Sequence, residues 1–297
     1  MSDSLEFTGE RFTPECEREI WYEHYHRYAL ASRWCKNLRT LDAACGEGYG
    51  SALLAQSAAS VDGVDISEQA ISHARQRYAK LENVNYHLAD CTSLPFADDE
   101  FDRVVSFETL EHLAEHDQLM AEFRRVLKPG GCLILSSPDK ATYSDGQEGN
   151  NEFHVRELYR DEFVTLIDKY FPASHLLGQK LMFHSAIWSM DGIKETTLDQ
   201  FADNAVSNPS GITQAPVYYI AICAAEQQYL PEIDGKLWLF DDAGESVYQH
   251  YHGEIKRNMS AGGIIAGLEK EIETLKSQTE KAIPVKHHWW QRLFGKS

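Results

Sequence analysis

Apolar and polar positions change their period several times along the first half of the chain. Residues 18–36 place apolar side chains along one stripe of a helix, with Ile20, Tyr25 and Tyr28 among them. After this helix, short apolar runs typical of buried strands alternate with helical stretches of about 10–15 residues. This alternation predicts βαβ units and a parallel sheet with helices on both faces. The predicted strands are residues 40–44, 61–66, 84–88, 103–107 and 132–136.

The second half continues this pattern and then departs from it. A helix is predicted at 156–170, and further strands at 174–182 and 217–224. The segment between these strands, 183–215, is long for a simple connection, so we expect it to form a lid or a substrate wall.

Turn residues predict several boundaries. Ser67 is the expected N-cap of a helix that follows the second strand. The run Lys128-Pro129-Gly130-Gly131 predicts a tight turn before the fifth strand. The run GKLWLFDDAG predicts a short strand and turn, and Gly262-Gly263 is expected to interrupt a helix over 246–282.

These patterns divide the chain into three regions. Residues 1–37 form an N-terminal cover and helix, and residues 38–226 form the main α/β domain with its 183–215 insertion. Residues 227–297 form a C-terminal helical extension.

Composition narrows the function classes. The 28 basic residues against 46 acidic ones give a net charge of −18, which disfavours nucleic acid as a partner because such binding depends on Lys and Arg contacts to phosphate. No apolar run is long enough to span a membrane, and the polar, acidic start excludes a signal peptide. The six cysteines and the histidines lack a metal-ligand spacing, so we predict a cytoplasmic protein without a metal.

A candidate ligand-binding site follows the first strand, in the turn Cys45-Gly46-Glu47-Gly48-Tyr49-Gly50. Glycines there allow a ligand to approach the backbone at the carboxyl end of a parallel sheet. Asp65 ends the second strand, where its carboxylate can accept from both hydroxyls of a ribose. The spacing G-x-G-x-G differs from that of dinucleotide sites, and Glu47 would repel a pyrophosphate, so a ligand with positive charge is favoured.

Four ordered motifs carry a family resemblance. LDAACGEGYGSALLA, GVDIS, LADCTSLPFADDEFDRVVSFETLEHL and RVLKPGGCLILSSPDK resemble the class I S-adenosylmethionine-dependent methyltransferases over residues 38–138. The resemblance implies an α/β, Rossmann-like fold with a seven-stranded, mostly parallel sheet whose last strand is antiparallel. S-adenosylmethionine is the cofactor that it implies.

The same resemblance implies a role for each matching residue. The turn from Ala44 to Gly48 would wrap the amino-acid half of the cofactor, with Ala44 in place of the family's usual first glycine. Asp65 would hold the ribose, while Ile66 would lie on the adenine. The remaining cofactor residues would be Gly46 in the turn, Asp90 at the adenine amino group, the Cys91 backbone beside it, and Phe107 and Glu108 at the methionine moiety.

The flanking segments suggest an acceptor. GERFTPE, EHYHRYALA and NEFHVRELYRDEF look like a subgroup of bacterial methyltransferases linked to polysaccharide and glycan assembly at the cell surface. This resemblance implies O-methylation of a sugar or glycan-linked hydroxyl group. The alternatives are a quinone-type phenol or a protein as acceptor, or a partner subunit that binds the cofactor without catalysis.

A hydroxyl acceptor must lose a proton during methyl transfer. His154 is the preferred general base because it follows the fifth strand near the expected acceptor mouth, and an unperturbed imidazole titrates near 6.5. His112 is the second candidate. The competing interpretation is that each histidine only packs or caps a helix.

The C-terminal extension suggests an attachment function. Ile265, Leu268, Ile272 and Leu275 are spaced as a short coiled-coil seam, which favours a homodimer or a partner helix. The tail 285–297 combines tryptophans with basic residues and contains no acidic residue. Such a tail suits the surface of an anionic membrane, so we predict a protein that can also bind at the inner face of the membrane.

Overall fold

A computed structural model gives the structure of the chain. It describes residues 19–145, 151–182, 200–202, 205–207, 212, 214–233, 237–240 and 244–282. The chain forms two compact units, residues 1–241 and residues 242–297.

The first unit opens with alternating helices and strands, close to the predicted positions. In chain order these are α1 (Glu19–Trp34), β1 (Arg39–Ala43), α2 (Tyr49–Ala55), β2 (Ser60–Asp65), α3 (Glu68–Arg77), β3 (Val84–Leu88), β4 (Phe101–Ser106), α4 (His116–Val126) and β5 (Leu127–Pro138).

The remaining elements follow β5. They are α5 (Lys140–Tyr143), α6 (Arg160–Tyr170), β6 (Ala173–Gln179), β7 (Gln200–Ala202), β8 (Ala205–Ser207), β9 (Tyr218–Ala224) and, in the second unit, α7 (Ser246–Ala282). Among the described residues there are also two 3₁₀ turns, Leu110–His112 between β4 and α4 and Gln227–Tyr229 between β9 and α7.

Seven strands form one mixed sheet, as the sequence predicts. Their order is β3-β2-β1-β4-β5-β9-β6, and β9 runs antiparallel to both of its neighbours. The strand order reverses between β1 and β4, which pair in parallel. In such folds ligands bind outside the carboxyl ends of the strands at this reversal. The fold therefore places a ligand crevice beside the ends of β1, β2 and β4.

The sheet is covered on both faces. Val104 belongs to the cluster that packs with α4 and α6, whereas the next residue, Val105, belongs to the cluster that packs with α1 and α2. Leu133 and Ile134 divide in the same way. Because successive side chains of a strand point to opposite faces, continuous apolar strands give this two-sided core.

Several local predictions are wrong. Lys128 to Gly131 do not form a separate turn, because they lie within β5 where the pairing with β4 shifts register. The predicted helix at 156–170 begins only at Arg160, and α5 was not predicted. No strand forms at 237–240, and α7 continues through Gly262 and Gly263 without a break.

Some predicted segments fall outside the described residues. These are the N-terminal cover up to residue 18, most of the 183–215 insertion, and the tail 285–297. Among the helices that the structure describes, none has both the length and the apolar character needed to cross a membrane.

Candidate functional site

The turn after β1 has a backbone that only a few residue types adopt without cost. Ala44, Gly46 and Gly48 all have positive φ angles, of 61°, 56° and 89°. A side chain on Gly48 would also meet the ring of Tyr86 at 2.7 Å. Glycine is therefore required at position 48, while Ala44 holds a left-handed conformation that is strained for a residue with a Cβ.

Asp65 joins this turn to the end of β2. One of its carboxylate oxygens accepts a hydrogen bond from the Gly46 amide, and the other accepts from the Ser67 amide, both at 2.8 Å. Each carboxylate oxygen retains a further acceptor site. The neighbouring Ile66 side chain is 73% exposed. The end of β2 thus offers a fixed carboxylate beside an uncovered apolar side chain.

Asp90 and Cys91 follow β3 on the same edge of the sheet. The exposed Asp90 carboxylate accepts from the amide and the hydroxyl of Thr92, at 2.8 and 2.7 Å. Cys91 is buried, and burial raises the pKa of its thiol to about 12. The thiol therefore stays protonated at neutral pH and has a packing function there.

Glu47 has a different environment from the predicted one. Its carboxylate is buried and lies 3.3 Å from His73 Nε2 and 4.0 Å from Arg77 Nη1, both on α3. Because basic side chains offset its charge, we no longer expect Glu47 to repel a pyrophosphate.

The end of β4 carries Phe107 and Glu108. Phe107 is buried with its ring edge-on to Tyr28, with 5.0 Å between ring centroids. Glu108 has a φ of 51°, and its carboxylate accepts from the Ser136 hydroxyl at 2.5 Å. A non-glycine residue with positive φ at the end of a central strand is a feature of functional sites. Phe107 is therefore part of the core, whereas Glu108 holds a carboxylate at the end of β4.

Arg27 on α1 was missed by the sequence analysis. Its guanidinium is fully buried, donates to Gln179 Oε1 at 2.8 Å and lies 3.9 Å from Glu108 Oε1. The Tyr218 ring lies 4.8 Å from it. Two of its nitrogens, Nε and Nη2, have no hydrogen-bond partner among the described residues. A buried cation with unused donors beside Glu108 is suited to an anionic group of a ligand.

Asp42 on β1 was also missed. It is fully buried and accepts from the Ser51 hydroxyl at 2.6 Å and from the Tyr28 hydroxyl at 3.0 Å. Burial raises the pKa of the Asp42 carboxyl to about 7. Asp42 connects α1, β1 and α2 beneath the glycine turn.

The two histidines predicted as bases lie together. Their rings are edge-on with 5.1 Å between centroids, although His112 ends the turn after β4 and His154 follows β5. His154 Nδ1 contacts Glu157 Oε1, and the Tyr143 ring stacks on the His154 ring at 5.2 Å. His112 Nδ1 lies 3.1 Å from the Phe153 carbonyl oxygen. The fold therefore brings both candidate bases to one side of the crevice.

Glu111 lies beside these histidines. Its backbone carbonyl accepts from the Val155 and Arg156 amides at 2.7 and 3.0 Å, which fixes the turn against the loop after β5. Burial, followed by the charge of Glu108, raises the pKa of the Glu111 carboxyl well above its ordinary value. Ligand atoms of Glu111, His112 and His154 all lie within 4.8 Å of one another.

Different signals would have found the missed residues. Asp42 stands inside an apolar strand, where a carboxylate without local partners implies burial with distant ones. Arg27 is a cation within the apolar stripe of a predicted helix. Neither pattern identifies the partner, because Glu108, Gln179 and Ser51 come from other parts of the chain.

Several known proteins are similar to this chain in sequence. Residues 41–135 match the family described as a methyltransferase domain. The chain is 36% identical over 190 residues to a "Probable S-adenosylmethionine-dependent methyltransferase" of Mycolicibacterium smegmatis, which covers 63% of this chain and 72% of that protein. It is also 42% identical over 97 residues to a demethylmenaquinone methyltransferase of Clavibacter sepedonicus, over 33% of this chain and 40% of that protein.

A solved structure is similar to this chain in fold. The PH0226 protein of Pyrococcus horikoshii superposes with a TM-score of 0.52 at 24% identity, over 71% of this chain and 92% of that one. A likeness at this identity concerns the fold alone. The relationship to the mycobacterial protein goes further, because it extends over most of that protein's length at 36% identity. The chain therefore belongs to the S-adenosylmethionine-dependent methyltransferase family, and S-adenosylmethionine is its cofactor.

Proposed function

We propose that this methyltransferase transfers the methyl group of S-adenosylmethionine to a hydroxyl group of a sugar or of a glycan-linked acceptor. The observation that carries the proposal is the pair of histidines beside Glu111, next to the carboxylate of Glu108. A hydroxyl acceptor needs a group that accepts its proton, and this cluster supplies one.

We propose that the cofactor lies along the crevice beside the ends of β1, β2 and β4. The turn from Ala44 through Gly46 to Gly48 is our proposed support for the amino-acid half. Asp65 is our proposed ribose ligand, since its carboxylate stands at the end of β2 with acceptor sites left. The exposed side chain of Ile66 offers an apolar surface for the adenine. Asp90 and the Cys91 backbone, at the end of β3, would bind the adenine edge.

Opposite charges are available for the methionine end. Glu108 would bind the ammonium group, with Phe107 beneath it, and the unused donors of Arg27 would bind the carboxylate. Arg27 Nη1 and Glu108 Oε1 are 3.9 Å apart. This spacing matches a ligand whose ammonium and carboxylate groups are attached to the same carbon. This complementarity supports the zwitterionic methionine group at this point.

The reaction needs alignment more than a protein nucleophile. When bound, the cofactor supplies an electrophilic methyl group on a sulfonium sulfur. The residues around the crevice would contribute mainly by holding the acceptor hydroxyl in line with that methyl group and by excluding water. Glu157 holds His154 through Nδ1, so Nε2 is the atom that accepts the hydroxyl proton.

A quinone-type phenol is the second candidate acceptor. The relative from Clavibacter sepedonicus acts on demethylmenaquinone by its name, and it matches a third of this chain. The sugar hydroxyl is favoured by the polar character of the acceptor side, where Glu111, Tyr143 and Glu157 surround the histidines. Binding of the cofactor without transfer to either class, or to protein, would instead indicate a non-catalytic partner subunit.

The test is transfer of labelled methyl groups from S-adenosylmethionine to glycan fractions of a bacterial cell envelope, with quinol precursors and protein in parallel. Substitution His154→Ala should lower kcat by about 10²–10⁴ while the affinity for S-adenosylmethionine stays unchanged. The matched control is His252→Ala in α7, which should keep the wild-type rate. Wild-type turnover in His154→Ala would contradict the assigned base and make His112 the next one to test.

The cofactor site has its own test. Substitution Asp65→Ala should weaken S-adenosylmethionine binding by about 1.5–3 kcal/mol, because charge-assisted hydrogen bonds to the ribose are lost. Calorimetry measures this directly, and Glu68→Ala one turn further along should leave the affinity unchanged. Equal affinities of wild type and Asp65→Ala would overturn the position of the ribose.

A further inference from the structure

Three side chains with metal-ligating atoms lie close together after the ends of β4 and β5, where we propose that the acceptor binds. They are Glu111 and His112 from the turn after β4, and His154 from the loop after β5. One ligand atom of each lies within 4.8 Å of the other two, and Glu111 Oε1 stands 4.0 Å from His112 Nε2. The two segments are about 40 residues apart in the sequence, so the cluster does not have the short ligand spacing typical of metal-binding motifs.

The histidines are oriented as metal ligands usually are. His112 directs Nδ1 to the Phe153 carbonyl oxygen, and His154 directs Nδ1 to the Glu157 carboxylate. A ligating histidine commonly donates its second ring N–H to a carbonyl or carboxylate, which fixes the tautomer and the orientation of the ring. The Ser144 hydroxyl holds Glu157 in turn, at 2.6 Å.

Glu111 supplies an independent reason to expect a ligand. Glu111 is 1% exposed, and its Oε2 atom has no hydrogen-bond partner among the described residues. A buried carboxylate oxygen without a partner is costly, and a bound cation removes that cost. The Val155 and Arg156 amides both donate to the Glu111 carbonyl oxygen, which holds the backbone of Glu111 against the loop that carries His154.

We propose that Glu111, His112 and His154 form a binding site for one divalent cation of the zinc type. Two imidazole nitrogens and one carboxylate oxygen suit Zn²⁺, Co²⁺ or Ni²⁺ better than Mg²⁺ or Ca²⁺, which prefer oxygen ligands alone. Ligands of a tetrahedral zinc ion stand about 3.4 Å apart, given metal–ligand bonds of about 2.1 Å. The observed spacing therefore needs side-chain movements of about 1 Å to close on the ion.

Three protein ligands leave a coordination position open, as in catalytic sites. For its effect on turnover the inference rests on the proposed function: a hydroxyl oxygen in that position would lose its proton more easily, as water bound to Zn²⁺ does. A His154 nitrogen that ligates the cation cannot accept a proton at the same time. Occupancy of the site therefore decides whether the cation or His154 prepares the hydroxyl.

The test uses the full chain, freed of metal by a chelator and titrated with Co²⁺, whose visible absorption reports its ligands. Wild type should bind one Co²⁺ per chain, displaced by Zn²⁺. Substitutions His112→Ala and His154→Ala should abolish this site, and Glu157→Gln should weaken it by about 10–100-fold. His252→Ala is the matched control and should bind as wild type does.

Binding of S-adenosylmethionine shows that each variant is folded. The proposal is overturned if wild type lacks a stoichiometric site, or if His112→Ala and His154→Ala retain it. Labelled-methyl transfer by metal-free wild type separates this result from the proposed function. If metal-free wild type transfers methyl groups and this activity depends on His154, the proposed function is supported even if no cation binds. If the cation site is occupied but no acceptor is methylated, only the proposed function is refuted.

Discussion

At the scale of single residues, the buried carboxyl of Asp42 makes stability depend on pH. Its pKa is raised by burial to about 7, so between about pH 4 and 7 the folded chain holds a proton that the unfolded chain has lost. The free energy of unfolding therefore falls as pH rises through this window, by about 3–4 kcal/mol from this group. We expect Asp42→Asn to remove that fall.

Chemical denaturation at pH 4.5 and pH 8 measures the effect as the difference between wild type and variant. Asp117→Asn is the control, because hydrogen bonds from Lys169 and Tyr170 lower the pKa of the Asp117 carboxyl instead. Parallel pH dependence of wild type and Asp42→Asn would contradict the raised pKa, because it would mean that Asp42 is ionised in the folded protein from pH 4.5 upward.

Residues whose role depends on the local backbone were easier to predict than residues whose role depends on side chains far away in the sequence. The turn from Ala44 to Gly48 and the position of Asp65 follow from a short stretch of sequence, and the structure has them at the ends of β1 and β2. Arg27 could not be assigned in this way. Its environment consists of Glu108, Gln179 and Tyr218, which only the folded sheet brings to α1.

At the scale of elements, the sequence predicts strands better than their ends. Apolar runs identify the strands because burial on two faces demands them. The start of β5 was predicted too late in the chain, since Pro129, Gly130 and Gly131 have strong turn propensity but are part of the irregular pairing of β5 with β4. Pairing with a neighbouring strand overrides local propensity, and the pairing is not visible in one segment.

Helix packing gives a test at the same scale. A Cβ added to Gly50 in α2 would come within 2.1 Å of the Tyr28 ring in α1, whereas one added to Gly262 in α7 meets nothing within 4 Å. Gly50→Ala should therefore lower the free energy of unfolding by about 1–3 kcal/mol, because the buried ring must move. Gly262→Ala should leave it unchanged or raise it by about 0.5–1 kcal/mol through helix propensity.

Urea denaturation followed by circular dichroism compares the two variants with wild type. If Gly50→Ala proved as stable as wild type, α1 would not pack against α2 as closely as described. The pair also explains why the break predicted at Gly262-Gly263 is absent: two glycines weaken a helix, but the 37 residues of α7 supply enough backbone hydrogen bonds to span them.

At the scale of the whole molecule, α7 carries an exposed apolar seam. Ile265, Leu268, Ile272 and Leu275 are each 51–55% exposed. Counted as a heptad, the isoleucines occupy a positions and the leucines d positions, the combination that favours parallel two-stranded coiled coils. In that arrangement Glu271 of one copy, at g, faces Lys276 of the other, at e, with opposite charge.

We therefore expect the protein to form a parallel homodimer through α7. Two heptads alone are short for a coiled coil, so the dimer should dissociate on dilution. Light scattering coupled to size exclusion gives the mass across a concentration series. Ile272→Glu should halve the mass at high concentration, because a charge at an a position opposes pairing, whereas Thr274→Glu, on the outer face, should keep the dimer. If wild type has the mass of one chain at every concentration, the predicted homodimer is wrong. The apolar seam of α7 would then be expected to pair with a helix of another protein.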